Sequence, residues 1–108
     1  MDSEIVNLSA ALEYQEHSVI SRVLLKNAGG TITLFAFDEG EGLSEHETPF
    51  DAFVTVVDGS TRIRISETEY KLSAGDSLVL PANIPHAVEA VTKFKMLLIM
   101  IKAPKALS

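Results

Sequence analysis

Cysteine is absent from the 108 residues, and so is tryptophan. The first absence excludes a disulfide framework, a thiolate metal site and a cysteine nucleophile together, which leaves oxygen and imidazole as the expected ligand atoms. Positive charge is scarce as well. Nine Lys and Arg stand against fifteen Asp and Glu, a formal net charge of −6, so no basic face is available for a phosphate backbone or an acidic membrane surface. Neither nucleic acid nor membrane is expected as a partner. Long hydrophobic runs are missing too. The longest, Met96 to Ile101, falls well short of the roughly 18 to 20 residues that a membrane-spanning helix requires. Met1 to Asn7 has neither the basic region nor the apolar stretch of a signal peptide, and the expected location is the cytoplasm.

What is present is a succession of short β-branched and aromatic stretches separated by turn residues. Ser18–Lys26, Thr31–Phe37, Phe53–Val57, Thr61–Ser66, Tyr70–Leu72, Ser77–Leu80, Ala87–Val91 and Phe94–Lys102 read as strands, with Gly, Asp and Pro between them. Arg62 and Arg64 alternate with Ile63 and Ile65, the pattern of a half-solvated antiparallel strand. A carboxylate clamp built on the two arginines is the other reading. Ser9 followed by Ala10, Ala11 and Leu12 predicts at most a short N-terminal helical turn. The ends, 1–7 and 103–108, read as tails or edge strands, since Pro104 interrupts a ladder. The chain is expected to be one all-β domain, 1–108, with a barrel core over about residues 18–102. At this length a second subunit would help to cover the surface, so a homodimer is the expected assembly.

Two segments carry a more specific pattern: Gly40-Glu-Gly-Leu-Ser-Glu-His46-Glu-Thr48-Pro-Phe-Asp51-Ala52 running on to Gly59, and Gly75 to Pro81-Ala-Asn83-Ile-Pro85-His86. They resemble the paired motifs of the cupin superfamily, and among cupins the small single-domain proteins of the cupin 2 conserved barrel type, whose activity is unassigned. In the first motif Gly40, His46 and Gly59 match, while Thr48 stands at the second histidine and Ala52 at the glutamate. In the second, Gly75, Pro81 and His86 match, with Asn83 at a glycine, which Asn replaces mildly because it tolerates left-handed backbone, and Ala90 at an asparagine. The resemblance implies a jelly-roll β-barrel, a double-stranded β-helix, with a pocket at the two histidines.

Two imidazoles inside a barrel need partners for a donor and an acceptor each. One reading gives them a divalent transition metal (Fe, Ni, Zn or Mn), with Asp51 as a third ligand in a two-histidine, one-carboxylate set. The difficulty is parity, since Asp51 lies one step from the motif position and one step along a strand reverses the face. The other reading has His46 and His86 bonded to Ser44, Thr48 or backbone carbonyls and lining a pocket with Phe53, without metal. Burial would then lower a histidine pKa and supply a base. The functions that follow are small-molecule binding, with or without metal-assisted oxidation or isomerisation of an oxygen-bearing substrate; a metal-free dimeric ligand-binding or sensor module; or a structural partner. Phe35, Phe37, Phe50 and Phe53 are expected to fill the barrel, and Met96 and Met100 to pack either across a dimer axis or inside a covered strand.

Overall fold

Antiparallel ladders organise the chain from Val19 to Lys102. The computed structural model describes residues 3–103, and among these nine strands and no helix are found. In order they are β1 Val19–Asn27, β2 Gly30–Phe37, β3 Gly42–His46, β4 Phe50–Asp58, β5 Ser60–Ile65, β6 Thr68–Ser73, β7 Ser77–Leu80, β8 His86–Ala90 and β9 Phe94–Lys102. They form a five-stranded sheet in the order β1-β2-β9-β4-β7 and a four-stranded sheet in the order β3-β8-β5-β6, the two layers of a jelly-roll barrel. No helix among the described residues is long and apolar enough to cross a membrane.

The core lies between the sheets and follows from strand parity. In β4 the residues Ala52, Val54 and Val56 are buried while Asp51, Phe53 and Asp58 are exposed. Cross-strand registers carry the same face across the sheet, pairing Phe37 with Phe94, Phe35 with Met96, and Val54 with Leu98. Phe37 and Phe94 stack with ring centroids 4.5 Å apart. Ile63, Leu72 and Val88 close the core from the smaller sheet. Each such fully buried side chain stabilises the fold by about 1.5 to 3 kcal/mol. Met96 and Met100 belong to this inner face, while Ile101 on the other face of the same strand is exposed, so the last run is covered on one side and only partly on the other. Phe53 is on the outer face and does not fill the barrel, contrary to expectation.

The outer face of the larger sheet is partly roofed by the N-terminal segment. Leu34 and Ala36 point outward, yet they are 0% and 1% exposed. Lys95, their neighbour on β9, donates to the Ser9 carbonyl at 2.5 Å and lies over the Tyr14 ring. The Tyr14 hydroxyl in turn donates to Asp58, and burial followed by this carboxylate pushes the phenol pKa well above its ordinary value. The expected helical turn at Ser9 is instead a single turn capped two residues earlier. The Asn7 side-chain oxygen accepts from the backbone N–H groups of Ser9 and Ala10, and nothing helical follows because the segment is spent on covering the sheet. Of the expected tails, residues 3–7 are irregular coil and Ala103 leaves the last strand; residues 1–2 and 104–108 lie outside the described residues.

Two departures from the expected strands shape the site. β3 occupies Gly42–His46, a stretch that looks too rich in Gly, Ser and Glu for a strand, and β4 starts three residues before Phe53. β3 pairs with β8, and Gly42 is what permits the approach, because a Cβ there would stand 2.2 Å from the Val88 carbonyl oxygen. Gly59 does the same for the β4–β5 turn. It has φ +73°, and a Cβ would meet the Lys93 oxygen at 1.9 Å.

Candidate functional site

His46 and His86 are direct cross-strand partners. Getting them there takes a β-bulge. Leu43 pairs with Val88 and His46 with His86, so β3 spends three steps where β8 spends two, and the additional residue lets both Leu43 and His46 face the interior. His86 is presented by the turn after β7, in which Asn83 adopts φ +62°. That turn is held from two sides. The Asn83 N–H donates to the Thr48 carbonyl at 2.8 Å, and the Ala82 N–H donates to the Asp51 carboxylate at 2.9 Å.

The two rings meet edge to face, centroids 4.5 Å apart and planes at 67°. Each is locked by a carbonyl two residues back along the chain, in β3 for His46 and in the β7–β8 turn for His86: His46 Nδ1 lies 2.8 Å from the Ser44 oxygen and His86 Nδ1 lies 3.3 Å from the Ile84 oxygen. A carbonyl only accepts, so both Nδ1 atoms carry the proton, and in the neutral ring Nε2 is the atom with the lone pair. The two rings differ in exposure. His86 is 8% exposed, whereas His46 is open to solvent. Burial lowers the His86 pKa below its ordinary value, the neighbouring His46 lowers it further, and the Ile84 carbonyl opposes both. Neutral imidazole is therefore the resting state of the inner ring.

Behind the pair is an apolar cavity at whose walls Thr48, Leu80, Met96, Leu98 and Met100 join the histidines. Its enclosed volume is about 30 Å³. The inner chamber thus holds a water or two. The Thr48 hydroxyl bonds to Phe50 through its carbonyl and its N–H, both at 3.3 Å, and not to either ring.

The expected site is only partly assembled. His46, His86 and Thr48 converge on the cavity, while Ser44 contributes its carbonyl to His46 and lines a groove on the outer face of the smaller sheet. Phe53 is 40% exposed on the opposite side of β4. Asp51 also faces outward, opposite Ile101, and its carboxylate fastens the β7–β8 turn. Pro49 precedes β4 and leaves its alternation intact, so the parity rule applies to Asp51 without exception. Among the described residues no group of three His, Cys, Asp or Glu stands close enough to hold an ion. An open divalent site needs three protein ligands, so these residues do not fit a two-histidine, one-carboxylate Fe, Ni, Zn or Mn centre. Arg62 and Arg64 are engaged with Glu69, Glu89 and Glu45 on the outer face, the solvated-strand arrangement.

Met96, Leu98 and Met100 are the cavity residues that motif reading passed over. In the structure they share the inner face with the wholly buried Phe94.

The comparisons agree with this architecture. Residues 33–102 match the family model of the cupin domain. A conserved protein of unknown function from Streptococcus pyogenes is 34% identical, with a TM-score of 0.89 over 98% of this chain and 92% of that one. A cupin 2 conserved barrel domain protein from Leptotrichia buccalis is 43% identical, with a TM-score of 0.87 over 90% of this chain. This chain spans only 47% of that protein's length. A cupin superfamily protein from Desulfitobacterium hafniense is 29% identical, with a TM-score of 0.88 over 95% of this chain and 94% of that one. Among curated proteins no sequence matches. A jelly-roll of two antiparallel sheets, the paired glycine and histidine motifs and the match over most of the strands make one statement: the chain belongs to the cupin family.

Proposed function

We propose that the protein binds a small molecule at the mouth of the barrel, where a donor group of the ligand, a hydroxyl or an amine, meets Nε2 of His46 and His86. The observation that carries this reading is the commitment of both Nδ1 atoms to backbone carbonyls, which aims two acceptors at the mouth of an apolar chamber. The chamber is too small for a whole metabolite. It takes the end of one, with the remainder against exposed His46. A fragment screen of small alcohols, polyols and amines, read on the imidazole resonances, tests it: hits should be lost in His46→Ala and in His86→Ala. Hits that bind both variants as they bind the parent would remove the site.

A second reading, proton transfer, is favoured by the lowered pKa of His86. A neutral, buried imidazole is a competent base near neutral pH. Turnover of a carbonyl-containing hit, with exchange of its α-proton for solvent deuterium, separates catalysis from capture.

The reading includes a second copy of the chain. Leu25, Phe53, Val79 and Ile101 lie exposed on one outer sheet face beyond the N-terminal roof, and such a patch favours association. The Leptotrichia relative, about twice as long, has the length for two such barrels in one chain.

A further inference from the structure

We infer that Asp51 is a positioning residue of the binding site: from the outer face of β4 its carboxylate holds the turn whose Ile84 carbonyl fixes the tautomer of His86. The consequence for binding rests on the proposed function, whereas the consequence for the tautomer rests on backbone geometry alone. The argument starts at the end of β7. The β4–β7 ladder runs from Thr55 and Ser77 to Ala52 and Leu80, and the next residue that would stand opposite Asp51 is Pro81, which has no N–H with which to continue it. There the Asp51 side chain takes over from the backbone. It accepts the Ala82 N–H at 2.9 Å, one residue beyond the proline.

From Ala82 to the ring the chain has little freedom. Asn83 adopts φ +62°, and its N–H donates to the Thr48 carbonyl at 2.8 Å. Pro85 fixes its own φ and keeps the preceding Ile84 in extended backbone, and the Pro85 carbonyl accepts the Ser66 N–H at 2.8 Å. Ile84 is thus held from both sides, with its carbonyl against His86 Nδ1. Of the three tethers on this turn, Asp51 supplies the one made by a side chain, and it stands at the entry.

The two histidines depend on the clamp unequally. The Ser44 carbonyl that locks His46 belongs to β3 and lies 2.8 Å away, while the Ile84 carbonyl that locks His86 belongs to the turn and lies 3.3 Å away. The longer bond is the weaker. A loosened turn therefore lets His86 take the Nε2–H tautomer, which converts an acceptor at the cavity into a donor, and leaves His46 as it was.

The test reads the tautomer of each ring in the full-length chain, from long-range proton–nitrogen spectra at pH 8 of Asp51→Ala and Asp51→Asn. In Asp51→Ala an Nε2–H signal should appear for His86 and not for His46, and the affinity of histidine-dependent fragments should fall roughly three- to tenfold, the net worth of one hydrogen bond. Asp51→Asn keeps an acceptor at the same reach and should restore both readings. Exchange of the Ala82 amide in the parent needs no variant: it should be slower than that of an unprotected amide. An Ala82 amide that exchanges as a free one, a His86 that keeps Nδ1–H in Asp51→Ala, or a change common to both rings overturns the inference. Fragment binding that needs both histidines while the His86 tautomer is unmoved in Asp51→Ala removes the clamp alone. A shifted His86 tautomer with unchanged fragment binding leaves the clamp and removes the proposed function.

Discussion

Leu43 and His46 point to the same side of β3 although they are three positions apart, because the strand carries one residue more than the stretch of β8 that it faces. That single insertion brings His46 opposite His86 and lets its Nδ1 reach the Ser44 carbonyl. The chemistry of the cavity is thus set by backbone geometry, through the tautomer that each carbonyl selects.

Long-range proton–nitrogen spectra of the metal-free protein at pH 8 should show Nδ1 protonated and Nε2 bare for both rings. His17, exposed and outside this cavity, has its Nε2 beside the Glu16 carboxylate and lacks any such carbonyl lock on Nδ1. An Nε2–H signal from either cavity histidine would contradict the carbonyl locks.

Stability should depend on pH through His86. Its folded pKa lies below the ordinary value of 6.5, so the unfolded chain takes up the proton first as the pH falls. The contribution is whole above about pH 6.5 and declines through the window between that value and the lower folded one, with a slope of at most about 1.4 kcal/mol per pH unit for one proton. Urea midpoints at pH 7.5 and pH 5 measure it. His86→Gln should flatten the acid limb, and an identical slope in parent and variant would assign it to other groups.

Gly42→Ala tests the approach of β3 to β8. A Cβ would sit 2.2 Å from the Val88 oxygen, and backbone cannot yield as a side chain does. Separation of the strands should cost roughly 1 to 3 kcal/mol and pull His46 from His86. A lowered urea midpoint with weakened histidine-dependent binding is the expected result. Gly40→Ala is the control: its φ of +83° carries backbone strain, but a Cβ there meets nothing within 4 Å, so binding should be retained.

The fold and the histidine pair were legible because both are written in short-range signals. Turn residues punctuate the strands, and the two motifs place His46 and His86. β3 was hidden, since its Gly, Ser and Glu have low strand propensity and are recruited by pairing with β8. The bulge was hidden for the same reason: a one-residue slip exists only relative to a partner. Phe53 is a different case. Parity from the motif position Ala52 sends both its neighbours outward, and applying to Phe53 the rule already raised against Asp51 places it correctly. The methionines were obscured by a last strand that is apolar on both faces, where nothing local distinguishes inside from outside.

That two-faced strand underlies the remaining prediction. Leu97, Ile99 and Ile101 lie on the outer side of β9, flanked by Phe53 and Val79 from β4 and β7. The N-terminal roof covers Leu34 and Ala36 but leaves Phe53, Val79 and Ile101 at 40%, 56% and 59% exposure. Burying these side chains against a second copy would gain about 25 cal/mol for each Å² of apolar surface removed from water. Sedimentation should therefore show a concentration-dependent dimer. Phe53→Lys, which places a charge in the middle of this face, should convert it to monomer. Because Phe53 lies on the opposite side of β4 from the cavity, the variant should keep its fold and its histidine resonances. A parent that remains monomeric at millimolar concentration would show that the patch serves another partner.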